Sequence, residues 1–434
     1  MQTASKKVIT SWAMYDWANS VYNLVITTTF FPIYFLAVTK SGNSHTVRFL
    51  GRDFVNSSLY DYTLATAYLL IALLYPVLTS IADSRGNKKS FMQFFCYMGA
   101  AGCSALFFFN SSNLWLGIIA FMLAAMGYVG SLVFYNAYLP ELAAPEDRDR
   151  ISAKGFSYGY IGSVLMQLIG FALVTLMTDT GLATRITFLL VGIWWVSFAQ
   201  ITFAALPKST PVARNSGENV FATGFREFSK VWNQVKKLGV LKTYLLSFFF
   251  YSMGVQTVML AATLFGSKVL NLPDAKLIIT VVIIQLVAIA GAVLMSRLSN
   301  KYGNIKVLMG SVGLWIVICI AAYTVAGLAE SGVNAEYYFY ALAVGVGLVM
   351  GGVQSLSRST YSKLMPPTKD TASFFSFYDT TEKVAIVIGM FSFGLIDERL
   401  GMKNSVLFLI VFFFLGLLCL YLTLQKQKRQ PLPV

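Results

Sequence analysis

The run LIITVVIIQLVAIAGAVLM, residues 277–295, carries no ionisable side chain, and SNKYGNIK, residues 299–306, follows it almost at once. A membrane-crossing helix needs roughly 20 apolar residues. The run therefore reads as one span, and the basic turn behind it as a loop in water. The same alternation recurs along the chain. Apolar spans read near 12–38, 61–82, 90–109, 114–139, 155–177, 185–206, 243–267, 276–296, 306–327, 337–357, 374–396 and 404–424. Twelve spans predict an all-α membrane protein with both termini on one side. Composition agrees. Of 434 residues 56% are hydrophobic and only 12% charged, against about 25% charged in soluble domains. Mean hydropathy is +0.65.

The net charge of +14 reads as topology rather than as nucleic-acid binding. With the termini in the cytoplasm, Lys and Arg divide roughly three to one in favour of the cytoplasmic segments, as the positive-inside rule requires. That side holds Lys6, Lys7, Arg85, Lys88, Lys89, Arg148, Arg150, Arg297, Lys301, Lys363 and Lys426, among others, with Arg358 counted there too. Lys40, Arg48, Arg52, Arg185, Lys268, Lys276, Arg399 and Lys403 fall opposite. No cleavable leader is evident, so the first run is expected to stay as a helix. The expected setting is a cell (inner) membrane, multi-pass, with the chain a monomer in contact with membrane lipid.

The segment between spans 6 and 7 divides the map into bundles 1–206 and 243–434, with 207–242 as a linker. Phe221, Phe225, Phe228, Val231, Trp232, Val235 and Leu238 recur there at helical spacing between basic residues. That pattern predicts an amphipathic helix in the membrane interface. Gly86–Asn87 after span 2 matches Gly303–Asn304 after span 8, and Pro145 after span 4 matches Pro367 after span 10. Equivalent loops in equivalent places argue for a duplicated six-helix unit with pseudo-two-fold symmetry. Such repeats place a substrate site at their interface near the midplane.

Cys96, Cys103, Cys319 and Cys419 all lie in apolar runs, so neither disulfides nor zinc are expected. The single histidine, His45, falls in a polar loop and is expected to be solvated. There is no P-loop, metal-ligand cluster or nucleophile–histidine set. The expectation is a protein that is not an enzyme, with no cofactor and no metal.

The loop Asp83-Ser84-Arg85-Gly86-Asn87-Lys88-Lys89 is similar to the signature of major facilitators between helices 2 and 3, written G-x-x-x-D-R-x-G-R-R/K. It departs at Thr79, where the first glycine is expected, and at Ser84, where the arginine is. The resemblance casts Asp83, Arg85, Gly86 and Lys88 as a cytoplasmic gate loop, its Asp able to cap the next helix and to pair with a basic residue of the other half, and its basic side chains facing the cytoplasm. The opening Trp12-Ala13-Met14-Tyr15-Asp16-Trp17-Ala18-Asn19-Ser20, the blocks Tyr135–Leu142, Glu146-Asp147-Arg148 and Lys154-Gly155-Phe156, and Gly351–Ser359 with Phe374–Tyr378 resemble the vacuole-effluxer-like branch of that superfamily. The resemblance spans residues 12 to about 396. It implies the major facilitator fold and, as the first substrate class, amino acids moved outward.

Polar groups in hydrocarbon are costly unless they face a cavity or a partner, so their spacing marks a pathway. Asp16, Asn19, Ser20, Asn23 and Thr27 share one face of span 1. With the span starting near residue 12, Asp16 falls about one turn inside. Span 11 carries Asp379, Glu382 and Lys383; Glu382 lies about 12 Å along the helix, within a slab about 30 Å thick. Asp379 and Glu382 share a face and can share a proton. Glu382 and Lys383 point about 100° apart and need not pair; Lys383 is free to face Asp379 or an anionic group. Tyr128, Ser131, Tyr135 and Tyr138 on span 4, Tyr244, Ser247 and Tyr251 on span 7, and Gln354, Ser357 and Arg358 on span 10 add a lining. Tyrosines near span ends commonly anchor at the interface instead.

The resulting expectation is a secondary active transporter of a small polar metabolite, coupled to protons, working by alternating access. Transport of sugars, nucleosides, peptides or drugs, or a non-transporting receptor or scramblase on the same fold, is the alternative.

Overall fold

A computed structural model describes residues 2–40, 46–207 and 220–429. His45, Lys208 and Arg214 lie outside the described residues, as do the side chains of Phe221, Phe225 and Phe228. Helix α1 (Lys6–Val21) continues through a π-helical stretch, Tyr22–Phe30, into α2 (Phe31–Thr39). A hairpin of β1 (Thr46–Phe49) and β2 (Arg52–Val55) follows. Then come α3 (Asn56–Arg85), α4 (Lys88–Ala105), α5 (Leu114–Ala137), a single turn α6 (Leu139–Leu142), α7 (Arg148–Leu176) and α8 (Thr180–Ala205). The linker forms α9 (Val220–Lys237). The remaining helices are α10 (Gly239–Lys268), α11 (Asp274–Tyr302), α12 (Asn304–Glu330), α13 (Glu336–Leu364), α14 (Thr371–Leu400) and α15 (Met402–Arg429).

Eleven helical segments among the described residues are long and apolar enough to cross a membrane. The twelfth expected span is present as the 30-residue α14. It falls outside that class because Asp379, Glu382 and Lys383 sit near its first half and Asp397, Glu398 and Arg399 near its end. Most helices outrun the apolar runs that announced them; α1 starts at Lys6 and α15 reaches Arg429. Polar ends extend a helix past the hydrocarbon because its backbone bonds are satisfied internally at any depth.

Both matched loops shrink to a glycine turn. Gly86 ends α3 at φ 63°, and Gly303 separates α11 from α12 at φ 86°. Both lie in the left-handed region open to glycine. The hairpin was not foreseen in the segment between spans 1 and 2. Phe49 pairs with Arg52, leaving Leu50 and Gly51 as a two-residue turn with φ 50° and 76°. Two positive φ values match the twist of a tight hairpin, but a leucine is a poor sequence signal for one.

The chain sorts into two compact units. One comprises Met1–Ala4, Tyr138–Ser157 and Phe225–Val434; the other Ser5–Ala137 and Tyr158–Gly224. Two N-terminal pieces group with the C-terminal helices: Met1–Ala4, and Tyr138–Ser157, the segment that joins α5 to α7.

In that first unit α11 and α13 touch along backbone. A Cβ at Gly351 would run into the Ala288 carbonyl, and one at Gly347 into that of Ile284. Small residues let membrane helices approach this closely. Gly351→Val should therefore force the helices apart at a cost of about 1–3 kcal/mol. The expected readout is a lowered midpoint in a detergent thermal-shift assay; an unchanged midpoint would show that the helix pair tolerates the side chain.

Candidate functional site

Polar clusters lie inside both units, and each is built on residues that the sequence brings to one helix face. In the second unit, the Tyr135 hydroxyl on α5 donates to Asp16 Oδ2 at 2.7 Å. The Tyr135 ring stacks on Trp12 with centroids 4.5 Å apart, and Trp12 Nε1 donates to the Tyr135 carbonyl at 3.1 Å. Asp16 and Asn19 are buried, and Asn23 is half-buried. The helix that carries Asp16 starts ahead of the apolar run, at Lys6, so the carboxylate lies about 15 Å along it.

Next to this cluster the helix widens into the π-helical stretch, a feature concentrated at functional sites. The hydroxyls of Thr28 and Thr29 both donate to the Leu24 carbonyl at 2.8 Å. Gln167 Nε2 on α7 donates to the same oxygen at 3.1 Å and to Thr29 Oγ1 at 2.9 Å. Side-chain donors compete for a carbonyl that a regular helix would use internally. The run Thr27-Thr28-Thr29 was the available signal.

In the first unit the centre is Glu382. Gln256 Nε2 on α10 donates to its Oε1 at 3.0 Å, and Lys383 Nζ donates to its Oε2 at 2.7 Å. The expectation that these neighbours need not pair is corrected. Four methylenes let the lysine bend round its own helix, and a charge in this setting goes where its countercharge is. Lys383 and Asp379 are themselves buried. The Tyr251 hydroxyl and Ser357 Oγ lie 2.7 Å apart, and the Tyr244 hydroxyl donates to the Ser357 carbonyl at 2.8 Å. Tyr135, Tyr138, Tyr244 and Tyr251 are fully buried, so the interfacial-anchor reading does not hold for them. Gln354 on α13 is half-buried, its Nε2 3.3 Å from Met259 Sδ.

A second polar set within this unit ties Tyr138–Ser157 to the C-terminal helices. Asp149 is completely buried. It accepts from Lys363 Nζ at 2.6 Å, from Ser299 Oγ at 2.7 Å and from Asn304 Nδ2 at 2.7 Å. Arg148 Nη1 donates to the Ser362 carbonyl at 2.7 Å, and Glu141 accepts from Thr371 at 2.6 Å. Arg358 joins here. Its Nε donates to Ser152 Oγ at 3.0 Å and its Nη2 to the Ser152 carbonyl at 2.9 Å. Its guanidinium lies 4.3 Å from the centroid of the Phe156 ring. Counted in sequence as a topological charge, Arg358 is 2% exposed. Asp149 was missed, because it stands in the mixed-charge run Glu146-Asp147-Arg148-Asp149-Arg150, where nothing local sets one acid apart.

The gate loop is also more inward than expected. Lys88 Nζ lies 3.1 Å from Asp83 Oδ1, and both side chains are buried. Arg85 is exposed, and Gly86 makes the turn. Basic side chains were expected to face water; Lys88 folds back instead.

Comparison with known proteins gives these features a setting. The family model described as "Vacuole effluxer Atg22 like" matches residues 4–431. An uncharacterised transporter of the major facilitator type from Bacillus subtilis, YxiO, is 29% identical over 94% of this chain and 93% of its own length. Autophagy-related protein 22-1 of Penicillium rubens is 24% identical over 92% of this chain and 80% of its own. Autophagy-related protein 22 of Cryptococcus neoformans is 31% identical over 60% of this chain, which spans about half of that relative's length (48%). Among solved structures, a bacterial homologue of the iron transporter ferroportin in an outward-facing state superposes with TM-score 0.69 at 13% identity, covering 96% of this chain and 98% of that one. The proton:xylose symporter XylE does so with TM-score 0.68 at 13% identity, over 96% and 94%. At such identities these likenesses speak for the fold alone. Both are transporters, and the fold is that of the major facilitators.

The Asp149–Lys363 pair is testable without a substrate. In a double-mutant cycle with Asp149→Asn and Lys363→Met, thermal unfolding should report a coupling of about 1–3 kcal/mol, since partners in one buried network are non-additive. Strictly additive effects would mean that the two side chains do not act together.

Proposed function

The chain belongs to the Atg22-like vacuole effluxer family of major facilitator transporters, and on that premise we propose that it exports small zwitterionic metabolites, amino acids first among them, in exchange for protons. The observation that carries this reading is the Gln256–Glu382–Lys383 cluster. A carboxylate and an ammonium held together in an apolar span are complementary to a solute with the same two charges. An amino acid can replace the internal pair by one salt bridge from its carboxylate to Lys383 and another from its ammonium to Glu382. A polar solute is then bound without any charge being left bare in low dielectric.

A proton has the same access to the pair. Protonated Glu382 no longer holds Lys383, and the ammonium must then find another anion. Binding of a proton and binding of a zwitterion therefore compete at one carboxylate, which is the requirement for exchange. Tyr135, bonded to Asp16, and the widened turn of span 1 supply the corresponding polar surface in the second unit. The hydrogen-bonded set around Asp149 and Arg358 serves as the cytoplasmic gate, to be broken and remade once per cycle. The gate loop at Asp83 and Lys88 steadies the turn between α3 and α4. The basic residues, divided roughly three to one, favour cytoplasmic termini in a cell membrane, and the chain works as a monomer.

Glu382→Gln keeps the size and one hydrogen-bond acceptor but cannot exchange a proton. In proteoliposomes, efflux of a neutral amino acid driven by a pH gradient should fall by about tenfold or more, and counterflow should weaken with it, because the variant also lacks the carboxylate proposed to hold the substrate ammonium. Undiminished gradient-driven flux in this variant would remove Glu382 from coupling. Counterflow with sugars or nucleosides but with no amino acid would move the substrate class.

A further inference from the structure

We propose that the hairpin of β1 and β2 is a membrane-surface anchor. Leu50 at its tip enters the boundary between lipid headgroups and acyl chains, and Arg48 and Arg52 hold headgroup phosphates on either side. The hairpin falls between two spans, with α2 ending at Thr39 and α3 starting at Asn56. It therefore lies at the surface where those spans leave the membrane. In the ladder Val47 pairs with Phe54 and Phe49 with Arg52, which puts Val47, Phe49 and Phe54 on one face of the ribbon. All three are half-buried. The Phe49 ring meets Trp115 with centroids 4.3 Å apart, and Phe54 meets Tyr62 edge-on at 6.3 Å.

Those two contacts set the depth. Trp115 is the second residue of α5 and Tyr62 the seventh of α3, and both are exposed. Tryptophan and tyrosine at span ends sit at headgroup level, with the ring in the apolar boundary and the polar tip in water. A ribbon fastened to both rings is held at that level and not out in solution.

The tip selects the partner. Leu50 has φ 50°, a left-handed conformation that is costly for an L side chain and that asparagine or glycine adopts more readily. It is also 70% exposed, so packing within the protein does not offset the cost. An observed strain of this kind argues for function. Arg48 and Arg52 are exposed, and neither guanidinium makes a hydrogen bond, ion pair or ring contact among the described residues. Asp53 stands opposite Arg48 in the ladder but forms no ion pair with it. An apolar side chain between two unpaired guanidiniums matches a lipid surface in both respects. Acyl chains take the leucine, and phosphodiesters take the arginines through bidentate hydrogen bonds.

The test places an environment-sensitive nitrobenzoxadiazole label at Leu50→Cys in the full chain, whose own cysteines are buried. The protein is reconstituted in phosphatidylcholine–phosphatidylglycerol vesicles. Doxyl groups near the glycerol end of the lipid chains should quench the label. Iodide in the water should quench it at least about twofold less than the same label at Ser331→Cys, an exposed turn. Replacing both arginines, Arg48→Gln with Arg52→Gln, should cut the doxyl quenching by about threefold. The unaltered chain gives a second measurement, in which a lipid diazirine near the glycerol backbone should label the segment 46–55. Strong iodide quenching without doxyl quenching would put the tip in water and overturn the proposal, as would a segment 46–55 free of lipid adducts. Shielding from both quenchers would overturn it too, because protein, such as a second copy of the chain, would then cover the tip. Doxyl quenching unchanged in the arginine variant would overturn the role given to the headgroup phosphates.

Discussion

A charge in hydrocarbon must find a countercharge or a donor within the protein, and this constraint organises the molecule. Lipid offers no hydrogen bonds and little dielectric screening, so an unpaired ion there costs more than most single packing contacts can offset. The consequence is visible at four acidic groups. Glu382 holds Lys383 and Gln256, Asp16 holds Tyr135, Asp83 holds Lys88, and Asp149 gathers Lys363, Ser299 and Asn304. Each pairing fixes two or more helices against one another, because the partners come from different elements or from opposite sides of a turn.

The same constraint makes these groups usable. A structural ion pair in water is worth little and is exchanged freely with solvent. A pair in an apolar span can be exchanged only for something that restores its charges, and a zwitterion or a proton with a mobile countercharge does so. In the proposed function, selectivity for small polar solutes follows from electrostatics before any detail of shape. The segment Tyr138–Ser157 obeys a related logic. Its grouping with the C-terminal helices includes polar bonds from Arg148, Asp149, Ser152 and Glu141. Bonds of this kind can be exchanged for bonds to water, which is what the proposed gate asks of them.

Between the polar clusters the helices meet through glycine and alanine. The α11–α13 pair shows why: at Gly347 and Gly351 the facing backbone leaves no room for a Cβ. Close packing replaces the hydrophobic drive that is missing when the solvent is itself apolar.

The spans, their order and the duplicated glycine loops were legible in the sequence, because each depends on a local property: the run length of apolar residues, or a glycine that alone fits a positive φ. The polar face of span 1 and the charges of α14 were legible for the same reason, being uncompensated costs in an apolar string. What the charges bind was not. The pairing of Lys383 with its own neighbour, the return of Lys88 to Asp83 and the inward turn of Arg358 depend on which partners lie within about 3 Å; for Arg358 that partner is Ser152, 206 residues away in sequence. Asp149 shows the limit most plainly. Its two arginine neighbours made it look like part of a solvated loop, and only folding brings Ser299, Asn304 and Lys363 to it. Sequence thus determined where polar groups would be expensive; tertiary structure decided how the expense is met, because hydrogen bonding is short-ranged and chain proximity is not spatial proximity.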